Sequence, residues 1–477
     1  MRTTLHHRRT SNGSSGAASG TGWAGRRARR TAVAFAAAGA LALTGCGGEE
    51  KPGGAKETGG ASGATKAPAD ALPLPKLDGE SLQVIAVWTG AEAENFKKVL
   101  KEFENRTGAK VTYVPTQDAM LTYLGSKISG GTPPDVALLQ QPGALKQAVA
   151  KKWLKPLDST TQAQLDKNYT KGWKDIAAVD GTQYGVYYKA ANKSLIWYNT
   201  KVFENAGATE PKTWPEFLKT AETISQSGVT PVSVGGSDGW TLTDWFENVY
   251  LSQAGPEKYD QLAQHKIKWT DPSVKEALTT LGQLFGKENY LVGGAKGAVG
   301  TPFPKSVEQV FTGGETPKGA MVFEGDFVAV NIGQTKAELG TDAKVFPFPA
   351  VGAESPVVTG GDVAVALKDT KAAKALMTFL ASTDAAKISA GAGGFLSPNK
   401  SVDPSAYPND TLRDIAKSLI DAGDDFRFDM SDQAPQSFGG TPGKGEWKIL
   451  QDFVRNPKDV AGTQQKLETE AAAAYKN

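Results

Sequence analysis

At 477 residues the chain exceeds what one hydrophobic core usually organises, so two domains are expected. Hydrophobic residues at 39%, charged residues at 22% and ten tryptophans describe a folded soluble protein, with 54 glycines above the usual share. Basic and acidic side chains number 53 and 51; without the seven arginines that precede Leu43 the count is 46 against 51, which removes any electrostatic case for nucleic acid.

Those arginines precede the apolar run "AVAFAAAGALAL", Ala32 to Leu43, and no acidic residue occurs before Glu49, the pattern of a secretory leader. At 12 residues the run is shorter than the ~20 needed to span a bilayer. The following "LTGC", Leu43 to Cys46, resembles the bacterial lipobox, in which the cysteine is lipidated and becomes the mature N-terminus. Residues 1–45 are therefore expected to be a signal peptide, with Cys46 as the lipid attachment site. Paired Arg29 and Arg30 leave twin-arginine and general secretion both open. Cys46 is also the only cysteine, so no internal disulfide can form. Residues 46–80, rich in Gly, Ala, Pro and charge, read as a flexible linker that would hold a domain on the order of 30 Å from its anchor.

Beyond the linker, strand-like and helix-like segments alternate. "LQVIAVW", Leu82 to Trp88, is a short apolar run of buried-strand character, and Phe96, Val99, Leu100 and Phe103 mark one face of a helix that stops at Gly108. "KVTYVPT" and "DVALLQ" read as further strands. "TWPEFLKTAETISQSG" begins with a capping box, Thr213 and Glu216, and "DPSVKEALTTLGQLFG" is capped by Asp271 with Pro272 at its first helical position. "TPVSVG" and "DVAVALKD" read as strands and "TKAAKALMTFLAST" as a helix. Such alternation predicts parallel α/β sheets. In "GWTLTDWFENVY", a helix entered at Gly239 would put Leu242, Phe246, Val249 and Tyr250 on one stripe, with Trp240 and Asp244 on roughly the opposite side.

"GGSDG", Gly235 to Gly239, formally matches the G-x-S-x-G nucleophile elbow. A triad needs a base held by a third group, and the single histidine after the leader, His265 in "AQHKIKW", has no evident companion carboxylate. One such histidine and one cysteine exclude the usual zinc ligand sets, and no glycine-rich phosphate loop is present, so no metal and no cofactor is expected. Paired carboxylates for glycoside hydrolysis depend on spatial separation, which leaves a secreted glycoside hydrolase as an alternative. Binding without chemistry fits better. Sugars need aromatic plates for their C–H faces and charged or amide groups for their hydroxyls. Trp88, Gln141 and Trp240 follow expected strands, at the ends where open α/β sheets collect ligands.

"PPDVALLQQPGALKQAVAKKWLKPLD" and "YGVYYKAANKSLIWYNTKVFENAGATEPKTWPEFLKTA" resemble segments of the extracellular solute-binding proteins of ABC sugar importers, sugar-binding family 1. "GAMVFEGDFV" and "GGFLSPNK" resemble later family segments, and the likeness runs from about Leu82 nearly to the C-terminus. "DGWTLTDWFEN", "TGGDVAVAL" and "FRFDMSDQAP" look most like the subgroup that binds α-glucosides and related oligosaccharides. The resemblance implies a two-lobed α/β fold of the periplasmic-binding-protein type (type II), with sugar held in the cleft between lobes. One lobe would comprise 81–188 and 346–394, the other 189–345 and 395–477, with crossings near Tyr188, between Phe346 and Val358, and near Gly394 to Pro398. Lys193, Asp326, Asp362 and Asp429 fall in matching elements and join Trp88, Gln141, Trp240 and Asp244 as expected ligand contacts. "EGDF" carries Phe327 where many members have tryptophan. The implied role is capture of a sugar or oligosaccharide by a monomer, lipid-anchored on the outer face of the cytoplasmic membrane. It would deliver that sugar to a permease without covalent chemistry. A carbohydrate-binding surface module is the other alternative.

Overall fold

In this computed structural model, residues 71–476 are described apart from 117–119, 315, 353–354, 356 and 423–425, so the expected leader, Cys46 and most of the expected linker lie outside the described residues. Twelve strands are present among the described residues: β1 (Ser81–Ala86), β2 (Lys110–Pro115), β3 (Val136–Leu139), β4 (Ala178–Val179), β5 (Thr182–Gln183), β6 (Gly185–Asn192), β7 (Leu195–Asn199), β8 (Thr230–Ser233), β9 (Gly319–Phe323), β10 (Ala343–Pro347), β11 (Val358–Ala366) and β12 (Arg427–Phe428). One sheet runs β12-β11-β3-β1-β2 with β6 on the other edge of β11, and a second runs β10-β7-β9-β8. Helices cover both, giving two α/β lobes.

The sequence punctuation acts where expected. The helix Trp214–Gln226 starts with a complete capping box, in which Thr213 Oγ1 accepts from the Glu216 N–H and Glu216 accepts from the Thr213 N–H. Asp271 caps Pro272–Phe285 by accepting from the Ser273 N–H. The first core is aromatic as well as aliphatic: Phe96 lies 5.1 Å from both Trp88 and Tyr188. In the second lobe Trp245 packs against Phe323 at 4.5 Å.

Four expectations need correction. The sheets are mixed: β11 is antiparallel to both β3 and β6, and β7 is antiparallel to β9 and β10. Segments that pass from one lobe to the other enter a sheet from its opposite end, which reverses their direction. The first crossing lies between β6 and β7, at Asn192–Leu195, and not near Tyr188. The third is displaced furthest, because Leu396 still accepts from the Ala190 N–H and β12 pairs with β11, so the chain stays with the first lobe until Asp429. Phe395 packs on Trp88, and Phe428 packs on Trp173 and Tyr187 of that lobe, and this apolar load holds the segment. The linker also ends before residue 80: Leu77 is buried, its N–H donates to Thr107, and the Leu72 N–H donates to Asp384. The second crossing, Pro347 to Val358, joins β10 of one sheet to β11 of the other.

Replacing Thr213 with Ala removes one half of the capping box and is expected to cost about 1 kcal/mol, read as a lower denaturant midpoint at unchanged m-value.

Candidate functional site

A cavity of about 290 Å³ lies between the lobes where the crossing segments meet. β1 ends two residues before Trp88, which is held edge-on against Phe96 and tilted on Phe395 at 4.8 Å. β3 ends just before Gln140 and Gln141. Gly440 faces the Gln141 side chain so closely that a Cβ there would come within 2.5 Å of the amide atoms, so only glycine leaves Gln141 its place. From the second lobe, Trp240 opens the helix Trp240–Ala263, entered through Gly239 at φ 92°. A side chain at Gly239 would meet the Trp447 Cβ at 2.6 Å, so this turn lets two tryptophans share one wall. Trp240 also packs against Phe303 at 5.3 Å and Phe327 at 5.9 Å.

Lys193 lies in the first crossing, with its side chain 11% exposed. Its Nζ donates to Asp244 Oδ1 at 3.2 Å and to Asp429 Oδ2, with Asp432 at 3.9 Å. Burial pulls against its charge, but these carboxylates hold its pKa well above the ordinary lysine value. Burial opposes ionisation of Asp429 too, yet Lys193 and the Asp432 N–H bring it down to about 2. Asp244 and Glu324 go the other way. Burial, reinforced by neighbouring carboxylates, raises both against the pull of Lys193. Glu247 accepts from Tyr259 Oη and from the N–H groups of Met430 and Ser431, which braces the third crossing.

Of the eight contacts expected from sequence, Trp88, Gln141, Lys193, Trp240 and Asp362 line the cavity. Asp244 and Asp429 do not; they sit behind Lys193 as its counter-ions. Asp326 is also off the wall, with its Oδ1 accepting from the Asn192 N–H at 2.7 Å, and burial raises its pKa to about 7. The expected two-sided helix at Trp240 is buried throughout Thr241–Leu251, because its second side rests on this ionic floor. Sequence reasoning missed Glu92, Lys189 and Asp432, and also Phe303 and Trp447. Asp432 lies in the "FDMSDQ" stretch already singled out, three residues past the aspartate chosen there. Lys189 pairs with Glu92 at 3.0 Å across 97 positions, for which no local signal exists. Phe327, noted as a replacement for tryptophan, does line the cavity.

The serine-triad reading gains no support. Ser237 Oγ donates to Asp238 and His265 pairs with Glu468, so the G-x-S-x-G serine and the histidine have separate partners. Among the described residues one carboxylate cluster, Asp244, Glu247 and Asp429, has metal-like spacing, but Lys193 and the surrounding donors already engage it.

A sequence profile of bacterial extracellular solute-binding proteins matches residues 89–387. The chain is 32% identical over 386 residues to the osmoprotective compounds-binding protein GgtB of Synechocystis, covering 79% of this chain and 89% of that one. It is 33% identical over 407 residues to the alpha-glucosides-binding periplasmic protein AglE of Rhizobium meliloti, covering 82% and 87%. In fold it resembles the bacterial solute receptor AcbH, with a TM-score of 0.71 at 20% identity, covering 83% and 99%. It also resembles the solute-binding protein RafE, solved with raffinose, with a TM-score of 0.68 at 18% identity, covering 83% and 99%.

Two consequences of the ionic floor can be measured. Lys193→Met leaves Asp429 buried without its cation and is expected to cost about 3–5 kcal/mol at neutral pH, a deficit that narrows in acid as the orphaned carboxylate protonates. Burial and Asp429 raise the Asp432 pKa to about 8, so the folded state keeps a proton there that the unfolded chain releases near pH 4. Between those values the parent loses stability from this group as pH rises. Asp432→Asn is expected to remove that slope, gaining on the parent in thermal melts from about pH 4 to pH 8.

Proposed function

The chain belongs to the family of bacterial extracellular solute-binding proteins, and on that premise we propose that it captures a sugar or oligosaccharide in the inter-lobe cavity and hands it unaltered to the membrane permease of an ABC transporter. The observation that carries this reading is the make-up of the wall: rings from both lobes, Trp88, Trp240 and Phe327 among them, alternate with Gln141, Lys189, Asp362 and Asp432. A pyranose stacks one C–H face on Trp240 while its hydroxyls meet the charged and amide groups. The names of the two relatives aligned over most of their length, one for osmoprotective compounds and one for alpha-glucosides, favour an α-glucoside.

Family members are binding proteins of transporters and act outside the cytoplasm. No described helix is long and apolar enough to cross a membrane. The protein works as a monomer without a cofactor, tethered through a lipid on Cys46 after removal of its leader. Affinity comes from contacts made to one ligand by both lobes, because only a preference for the closed form can shift the lobes towards it. A micromolar ligand needs a net ~8 kcal/mol.

Trp240→Ala is expected to weaken sugar binding at least about tenfold with the thermal midpoint little changed, since stacked rings contribute about 0.5–1.5 kcal/mol beyond burial. Calorimetry that finds unaltered affinity would reject its platform role. Incubation with di- and oligosaccharides is expected to give stoichiometric stabilisation and no released monosaccharide, whereas turnover would favour a glycoside hydrolase.

A further inference from the structure

The charges inside the cavity narrow the class of sugar. Five ionisable side chains line it: Glu92, Lys189, Lys193, Asp362 and Asp432. Both lysines are already committed. Lys189 Nζ donates to Glu92 at 3.0 Å, and Lys193 Nζ donates to Asp244 and Asp429, which lie behind the wall. Asp362 and Asp432 have their nearest ammonium groups at 3.8 and 3.9 Å, within ion-pair range but beyond hydrogen-bond distance. Their side chains, 10% and 16% exposed, open onto the same space.

Two carboxyl groups share this part-buried cavity, where ionising both at once is costly. Burial and Glu92 push the Asp362 carboxyl up against the pull of Lys189, while burial, Asp429 and Asp362 do the same to Asp432. The free protein relieves that cost with the proton that Asp432 keeps up to about pH 8, and a bound cation can take the proton's place. The surrounding rings favour the cation, because their faces are the negative side of the aromatic quadrupole. The protein's own ammonium groups already use that geometry at the edges of the cavity. Lys193 Nζ lies 5.6 Å from the Trp240 ring centre and Lys189 Nζ 5.6 Å from that of Phe327. A neutral sugar offers Asp362 and Asp432 hydroxyl donors only, whereas a protonated amine offers up to three donors and a compensating charge.

Resting on the carbohydrate reading above, we propose that the cavity is built for a sugar bearing a protonated amino group, its ammonium held by Asp362 and Asp432 and its ring face set on Trp240. Neutral glycosides of the same shape bind as weaker analogues.

The test is calorimetric titration of the purified protein at low salt and about pH 6.5, where the amines are protonated. Three pairs serve as probes: glucose and glucosamine, galactose and galactosamine, trehalose and 4-amino-4-deoxytrehalose. The amino member of at least one pair is expected to bind at least about tenfold more tightly than its neutral partner, in keeping with a charge-assisted hydrogen bond. That preference, read as the ratio of amino to neutral affinity within each variant, should collapse in Asp362→Asn and Asp432→Asn. Equal or weaker binding of every amino member overturns the proposal and leaves the carbohydrate reading intact. A preference that persists in both asparagine variants overturns the placement of the ammonium. If neither amines nor neutral sugars bind, the carbohydrate reading falls and the proposal with it.

Discussion

A lysine ammonium buried among carboxylates is tolerable only while its partners stay in place, and the floor of this cavity is arranged around that demand at Lys193. The residue comes from the first crossing, Asp429 from the third, and Asp244 from the long helix of the second lobe. The second crossing ends at Val358, whose carbonyl accepts from the Lys193 N–H. Through its backbone and its ammonium, Lys193 thus ties together the three segments that join the lobes. Removing it strands buried charge, which is far more costly than the net contribution of the pair itself. Buried ion pairs are weak sources of stability but strong constraints on geometry, and here the constraint falls at the base of the ligand site.

From that floor the rest of the site follows. With Asp244 and Asp429 spent on Lys193, the carboxylates left facing the cavity are Glu92, Asp362 and Asp432. With the helix from Trp240 anchored below by Asp244, its first residue is held at the rim beside Trp447, Phe303 and Phe327. Aromatic plates and polar groups are therefore carried on rigid elements, strand ends on one side and a helix start on the other. Such preorganisation reduces the ordering cost of binding.

Local punctuation was the legible part of the sequence. The capping box at Thr213 and Glu216, the Asp271–Pro272 start and the apolar stripe of Phe96 to Phe103 all act within a few residues of themselves, and motif resemblance supplied the two-lobed arrangement. What escaped depends on long-range pairing. β12 is two residues long and joins the first sheet only through β11, so nothing near Arg427 signals that the chain has yet to cross. Lys189 gains its place in the wall from Glu92, far away in the chain. Asp429 and Asp432 differ by three positions in one polar stretch, and only the placement of the Lys193 ammonium decides which is counter-ion and which faces the cavity.

The central claim is that a cavity closed by both lobes holds a carbohydrate between ring faces and carboxylates. A crystal structure with the carbohydrate that stabilises the protein most would test it directly. The account predicts an intact sugar with one face against Trp240 and polar groups within about 3 Å of Asp362 and Asp432. A sugar bound elsewhere on the surface, or found cleaved in the cavity, would contradict it.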